Sequence, residues 1–288
     1  MSLKRWSYAW PIAVLASMAG IGGAIAYGTL VERHNLRDTK LEIDVPGLPQ
    51  AFDGYRIVQL SDFHMGGRGW SADTATRAVA LASSKRGDLI VLTGDLAETS
   101  LGIAHCADIL APLRAPDGVL AVLGNHDYAH RAVRVQALVG MLQSLGVRVL
   151  RNESLRLDRG GEELWVVGID DGYSGHDYLP KALVGVPAGA RPIVLSHYPD
   201  FAWRLGPGRW AVVLSGHSHG SQVRVPFLGR YARERIAKTR FSHGLYRVNR
   251  TPVFVTTGVG TSGHPLRLFS RPEVATIVLR APGAVPAS

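Results

Sequence analysis

Residues 215–220 read SGHSHG, directly after the apolar run WAVVL. Side chains two apart in extended backbone share a face, so His217 and His219 would point the same way from the end of a buried strand. Two imidazoles placed like this are a metal grip or a coincidence, and the rest of the chain decides which. Four other apolar runs end in residues that bind divalent ions: VQLSDFH in Asp62 and His64, VLTGD in Asp95, VLGNHD in Asn125, His126 and Asp127, and VLSH in His197. Taken singly each is weak, since His197 alone reads as a satisfied core histidine and Asp95 alone as a helix cap. Ligands of open α/β sheets bind beyond the carboxyl ends of strands, so five such ends in one chain point to one composite site.

The donor set narrows the ion. Imidazole and carboxylate without thiolate suit manganese, the expected ion, with iron, zinc or magnesium as alternatives. The single cysteine, Cys106, excludes a thiolate cluster and an intramolecular disulfide. Asp62, His64, Asp95, Asn125, His197, His217 and His219 are too many ligands for one ion, whereas two ions sharing a carboxylate would use them all. Ions about 3.5–4 Å apart clamp the attacking and leaving oxygens of an in-line displacement and acidify a bound water. That is the chemistry of phosphate-ester hydrolysis.

Taken in order, D-x-H, GD, GNHD, a lone His and GH-x-H resemble the calcineurin-like metallophosphoesterase superfamily, over about residues 55–280. The tail TTGVGTSGHPLRLFSRPEVATIVL resembles a bacterial, membrane-associated subgroup. That subgroup includes enzymes similar to UDP-2,3-diacylglucosamine pyrophosphatase of lipid A synthesis. The resemblance implies a four-layer αββα sandwich with a dinuclear site at the strand ends. It places Asp62, His64 and His219 on one ion, Asn125, His197 and His217 on the other, and Asp95 between them. It implies in-line attack of a metal-bound hydroxide on a phosphodiester or pyrophosphate bond. Asn125 would stabilise the developing charge, His126 would protonate the leaving oxygen, and Asp127 would fix the His126 tautomer. His264 and Arg267 are expected to face the phosphate. Ser218 and Ser221 stand where relatives often carry Thr and Gly, but neither is a ligand.

The elements that must carry these residues are legible in outline. Arg56–Ser61, 88–95, 118–127, 191–197, 210–219, 252–258 and 272–279 read as strands, and 154–169 as a hairpin around DRGG. Helical spacing marks 71–87 with a capping Ser71, about 99–113 and about 129–145. Glu98 reads as a helix-start residue. The apolar fraction of 46% and charged fraction of 19% are those of a chain with a proper core.

No residue between Trp6 and Val31 is charged, and WPIAVLASMAGIGGAIAYGTL is long enough to span a bilayer. It reads as a retained signal anchor, with a signal cleaved after AIA or a buried core helix as alternatives. Basic residues flank both sides, so the side of the membrane stays open. The expected division is an anchor over 1–40 and one phosphoesterase domain over 41–288, at a bacterial cytoplasmic membrane. Net charge is +9, and residues 224–250 hold eight basic side chains against Glu234, which suits an anionic membrane surface and a lipid-linked phosphate. No nucleic-acid motif accompanies that charge, and a monomer is expected. A nuclease is a rival, and so is a non-catalytic scaffold, though a scaffold would have lost ligands that are all present here.

Overall fold

Short aliphatic runs bounded by Gly, Pro or Asp are too brief for helices and form strands buried on both faces. The computed structural model describes residues 9–129, 132–224 and 239–282. Within them the first strands are β1 (Arg37–Asp44), β2 (Arg56–Leu60), β3 (Leu89–Thr93), β4 (Val119–Val122) and β5 (Val147–Val149). They are followed by β6 (Glu153–Arg159), β7 (Glu162–Ile169), β8 (Ile193–Ser196) and β9 (Val212–Ser215). The last three are β10 (Gly244–Val248), β11 (Thr251–Val255) and β12 (Glu273–Arg280). One sheet has the order β1-β12-β2-β3-β4-β5 and the other β10-β11-β9-β8-β7-β6.

Strands β2 to β5 run parallel, as do β7, β8, β9 and β11. All the strands that precede candidate ligands therefore end on one edge of their sheet. Ile57, Leu89, Val91, Leu120 and Val122 of the first sheet meet Val166, Ile193, Leu195, Val212 and Leu214 of the second in a common core. The alternate residues, Val58, Leu60, Ile90 and Leu92, pack on helices α2 (Ala72–Ser84), α3 (Ser100–Leu110) and α5 (Ala132–Ser144). The outer face of the second sheet is covered by α6 (Leu179–Ala182), the turn Pro199–Arg204 and Trp210. The result is the expected four-layer sandwich. Gln59 joins the two sheets beneath the site, donating through Nε2 to Thr93 Oγ1 at 2.9 Å and to the Ser215 carbonyl at 3.0 Å.

Two expected strands are shorter than the sequence suggested. Strand β4 stops at Val122, and α4 (Asn125–Tyr128) begins behind Gly124. Strand β9 stops at Ser215, because the residues that follow leave extended backbone. Strand β10 was not anticipated. Ser71 caps α2 as expected, its hydroxyl accepting from Thr74 N. Strand β1 begins at Arg37, ahead of the division expected near residue 40, and pairs with β12.

At the N-terminus, α1 spans Ala9–Leu30, 22 residues. At 1.5 Å per residue it is about 33 Å long, close to a hydrocarbon core of about 30 Å. Only 6% of its most apolar window is buried, so it is not a core helix but one long and apolar enough to cross a membrane. Most of the basic stretch after Arg224, including Arg230, Arg233, Arg235 and Lys238, lies outside the described residues.

Candidate active site

The chain turns sharply after each parallel strand, and those turns aim the candidate ligands inward. Asp62 and His64 follow β2, Asp95 follows β3, Asn125 opens α4, His197 follows β8, and His217 and His219 follow β9. Five of these seven, Asp62, His64, Asp95, His217 and His219, have φ between 50° and 70°. Left-handed backbone is uncommon for residues with a side chain, and strain of this kind concentrates where the site requires it. Gly216 is needed for a different reason, close approach: an added Cβ would overlap the Asp62 carboxylate and the Ser61 hydroxyl.

Acceptors face acceptors across the centre. His64 Nδ1 lies 2.7 Å from Glu98 Oε1, so it carries the proton, and Nε2 presents a lone pair to His219 Nε2 at 2.9 Å. His197 Nδ1 donates to the Thr93 carbonyl at 2.8 Å, which turns its Nε2 toward Asp95 Oδ2 at 3.2 Å. Asn125 Oδ1 sits 3.2 Å from that nitrogen and 2.9 Å from His217 Nδ1. Asp95 Oδ2 also lies 3.5 Å from His64 Nε2, so this carboxylate is reached from both sides. Donor atoms of Asp62, His64 and His219, and of Asp62, Asp95 and His197, fall within 4.8 Å of one another. Two carboxylates, an amide oxygen and four imidazoles converge here, a donor set that divalent cations would bridge. The residues fit two ions.

Charge follows the same layout. Burial would depress His197, but the Asp95 carboxylate lifts it to about 10. Burial would raise Asp95, but His197 and His64 hold it well below the usual range. Burial pushes Asp62 up. Burial, reinforced by His197, pushes His217 down to about 3, and burial with His64 and Arg267 keeps His219 low. The cleft over these groups measures about 310 Å³ and is lined by His126, Tyr173, Ser218, Ser221, Gln222 and Ser262 besides the candidate ligands Asp95, Asn125, His217 and His219.

The profile of the calcineurin-like phosphoesterase family matches residues 55–221, more than half of the chain. This chain belongs to that family. The phosphoesterase is 30% identical over 273 residues to a Bacillus subtilis metallophosphoesterase named YkuE, covering 93% of this chain and 94% of the other. It is 31% identical over 227 residues to the Escherichia coli phosphodiesterase YaeI, covering 78% and 82%. A zebrafish (Danio rerio) transmembrane protein with metallophosphoesterase domain is 31% identical over 271 residues, covering 88% of this chain and 60% of that one.

Around the ligands, the phosphoesterase departs from expectation at three charged residues. Asp127 does not touch His126. Its Oδ1 accepts from Leu96 N at 2.8 Å and Ala97 N at 3.1 Å, and its Oδ2 from Gly124 N at 2.9 Å, so it ties the β3 turn to the β4 turn. The carboxylate beside His126 is Glu98, 3.4 Å from Nδ1, which also holds His64. Its helix-start position was read from the sequence, but its reach back to the D-x-H turn was not. Arg267 does not face the cleft. Its guanidinium is fully buried and donates to the carbonyls of Thr257, Gly258, Gly260 and Ser270. A guanidinium with no exposed surface, bonded to four carbonyls, does not reach phosphate in the cleft, and it organises the loop instead. His264 is exposed, and Ser262 is the residue of this loop that lines the cleft. Tyr173, whose ring centroid is 5.1 Å from that of His217, had no sequence signal beyond lying in the turn-rich DDGYSG.

Proposed function

We propose that this protein hydrolyses phosphodiester bonds with two divalent ions, manganese foremost, at the meeting edge of its two sheets. The observation that carries the reading is the convergence of imidazole, carboxylate and amide oxygen donors on one cleft. Asp62, His64 and His219 would hold one ion and Asn125, His197 and His217 the other, with Asp95 shared. When bound, such an ion pair acidifies water and neutralises charge on the phosphoryl oxygens.

The chain's own groups supply the rest. Asn125 directs its carbonyl oxygen at His197 and His217, which leaves its amide N–H groups for a non-bridging phosphate oxygen. His126 lines the cleft with Glu98 3.4 Å from its Nδ1; burial lowers its pKa against the pull of Asp95 and Glu98, and a proton carried on Nε2 would pass to the leaving oxygen. Hydrolysis adds the oxygen of water to phosphorus and breaks the bond to the leaving oxygen. Buried Asp127 keeps the two turns, and hence Asp95 and Asn125, in register. Ser221, Gln222 and Ser262 shape the far wall and bind substrate there.

The protein named phosphodiesterase among the relatives supports a diester. Pyrophosphate cleavage of UDP-2,3-diacylglucosamine at a bacterial cytoplasmic membrane is the finer reading, and it rests on the resemblance of the tail. Both are tested with bis(p-nitrophenyl) phosphate and the nucleotide lipid as substrates. The full-length protein is assayed with manganese, after chelation, and as His126→Ala. The expected outcome is chelator-sensitive cleavage of the chromogenic diester, restored by manganese, with turnover lost and both ions retained in the variant. Release of UMP from the lipid would add the finer substrate. Diester cleavage indifferent to chelator, or its absence from metal-loaded protein, would overturn the two-ion reading.

A further inference from the structure

Helix α1 does not hang from the catalytic domain on a linker. One turn, Glu32–His34, leads straight into β1. Successive residues of this passage are bonded to the loop at 258–271 or to α2. The Gly28 carbonyl accepts from Arg267 N at 3.2 Å. Buried Glu32 accepts from Ser270 N at 2.6 Å, and the Asn35 carbonyl from Arg271 Nε at 2.9 Å. His34 Nδ1 lies 2.8 Å from Thr74 Oγ1 on α2. Gly28 is there because nothing larger fits: a Cβ would overlap Leu266 and the Arg267 carbonyl. The last turn of α1 is held at Gly28 and the passage after it at three further residues, which fixes how the domain sits against the end of the helix.

The loop that grips the helix is also a wall of the cleft. Ser262 lines it, and Gly260 N donates to the Asp62 carbonyl at 2.7 Å. The Ser270 hydroxyl donates to the His219 carbonyl at 2.7 Å. Ser262 and Leu266 are four residues apart, which is at most about 14 Å of chain between the cleft wall and the packed anchor. On this loop Phe269 stands 58% exposed with φ at 55°. A bulky residue in left-handed backbone is an outlier. Its neighbours hold it there, Leu268 N donating to the Gln222 carbonyl at 2.9 Å and Ser270 N to Glu32. An exposed apolar ring beside the end of an apolar helix offers apolar area for burial at a membrane interface.

We propose that the loop at 262–269 rests on the bilayer that α1 enters, with Phe269 immersed at its interface. The cleft then receives phosphodiesters whose lipid part stays in the membrane. The occupant of this surface is a lipid bilayer, because the apolar ring continues the apolar surface of α1 past its last turn. Only the substrate half of the proposal rests on the phosphodiesterase reading.

The test uses the full chain in vesicles of phosphatidylethanolamine and phosphatidylglycerol, with an environment-sensitive fluorophore on Phe269→Cys. Labelling is selective because Cys106 is fully buried. The expected result is quenching by nitroxide on the lipid chains and protection from aqueous iodide. The same label on Arg148→Cys, at β5 on the sheet edge away from β1, should show the reverse. Iodide quenching alone at position 269 would overturn the membrane seat whatever the activity. For the substrate half, p-nitrophenyl phosphate esterified to diacylglycerol in the vesicles is compared with soluble bis(p-nitrophenyl) phosphate. Phe269→Asn, which tolerates the left-handed backbone, should lower the lipid rate about tenfold and leave the soluble rate within about twofold. Gly28→Leu, which keeps the span apolar but expels the loop, should lower the same ratio. Equal loss on both substrates in Phe269→Asn would overturn lipid delivery. Absence of soluble cleavage in the unaltered protein would instead strike the phosphodiesterase reading.

Discussion

The two sheet edges that meet at the cleft contribute different chemistry. The edge of the first sheet supplies Asp62, Asp95 and Asn125, with His64 its one imidazole among the seven candidate ligands. The edge of the second supplies His197, His217 and His219. Both carboxylates therefore arrive on one layer and three of the four imidazoles on the other, and neither layer alone makes a site for two ions. The first edge is also the better braced. Asp127 ties two of its turns, and Glu98 holds His64. The second edge depends on its partner: His217 N donates to Asp62 Oδ1 at 3.0 Å, and His197 Nδ1 to the Thr93 carbonyl. The lesson is that the first edge forms the template and the second closes on it.

That contrast is most open to attack at the shared carboxylate. Asp95→Asn should lower kcat/KM for a phosphodiester by about a thousandfold or more and empty both ion positions, since it removes charge that both edges use. Metal content by plasma mass spectrometry, read beside the rate, checks this, and two ions bound per chain in the variant would break the comparison. His126→Gln should cost about a hundredfold to a thousandfold in kcat with both ions in place, which assigns proton delivery to the first edge as well. Equal loss of metal and rate would show a ligand role instead.

Smaller effects sharpen the picture of bracing. Glu98→Gln should cost about tenfold to a hundredfold in activity or metal affinity, because it weakens the hold on His64 and the charge beside His126. Asp127→Asn turns an N–H group toward a backbone N–H donor and should cost about 2 kcal/mol of stability. Its urea midpoint should fall further than that of Glu98→Gln, while its metal-loaded rate changes little. A midpoint unchanged by the substitution would mean that the turns of the first edge hold themselves.

Much of this was legible in the chain. Each candidate ligand closes a short run of Val, Leu and Ile, and such runs become strands because burial on both faces favours branched aliphatic side chains. The strands β2, β3, β8 and β11 fall within a few residues of their expected bounds. What failed to show was the partner of each charged residue around the ligands. Asp127 follows His126 directly, so adjacency suggested a pair, yet neighbours in a helical turn point in different directions, and Asp127 turns inward to three backbone N–H groups. Arg267 was expected at the phosphate from the resemblance of the tail, and its length let it reach four carbonyls instead.

Residue type and spacing along the chain determined the donor atoms, the strands that end at them and the apolar helix at the N-terminus, because each depends on local composition and period. Tertiary structure decided which carboxylate serves which imidazole, that Arg267 braces a loop, and that this loop grips Gly28. Those outcomes depend on distances between segments far apart in sequence, such as Glu32 to Ser270 or His64 to His219, which only the packing of the two sheets sets.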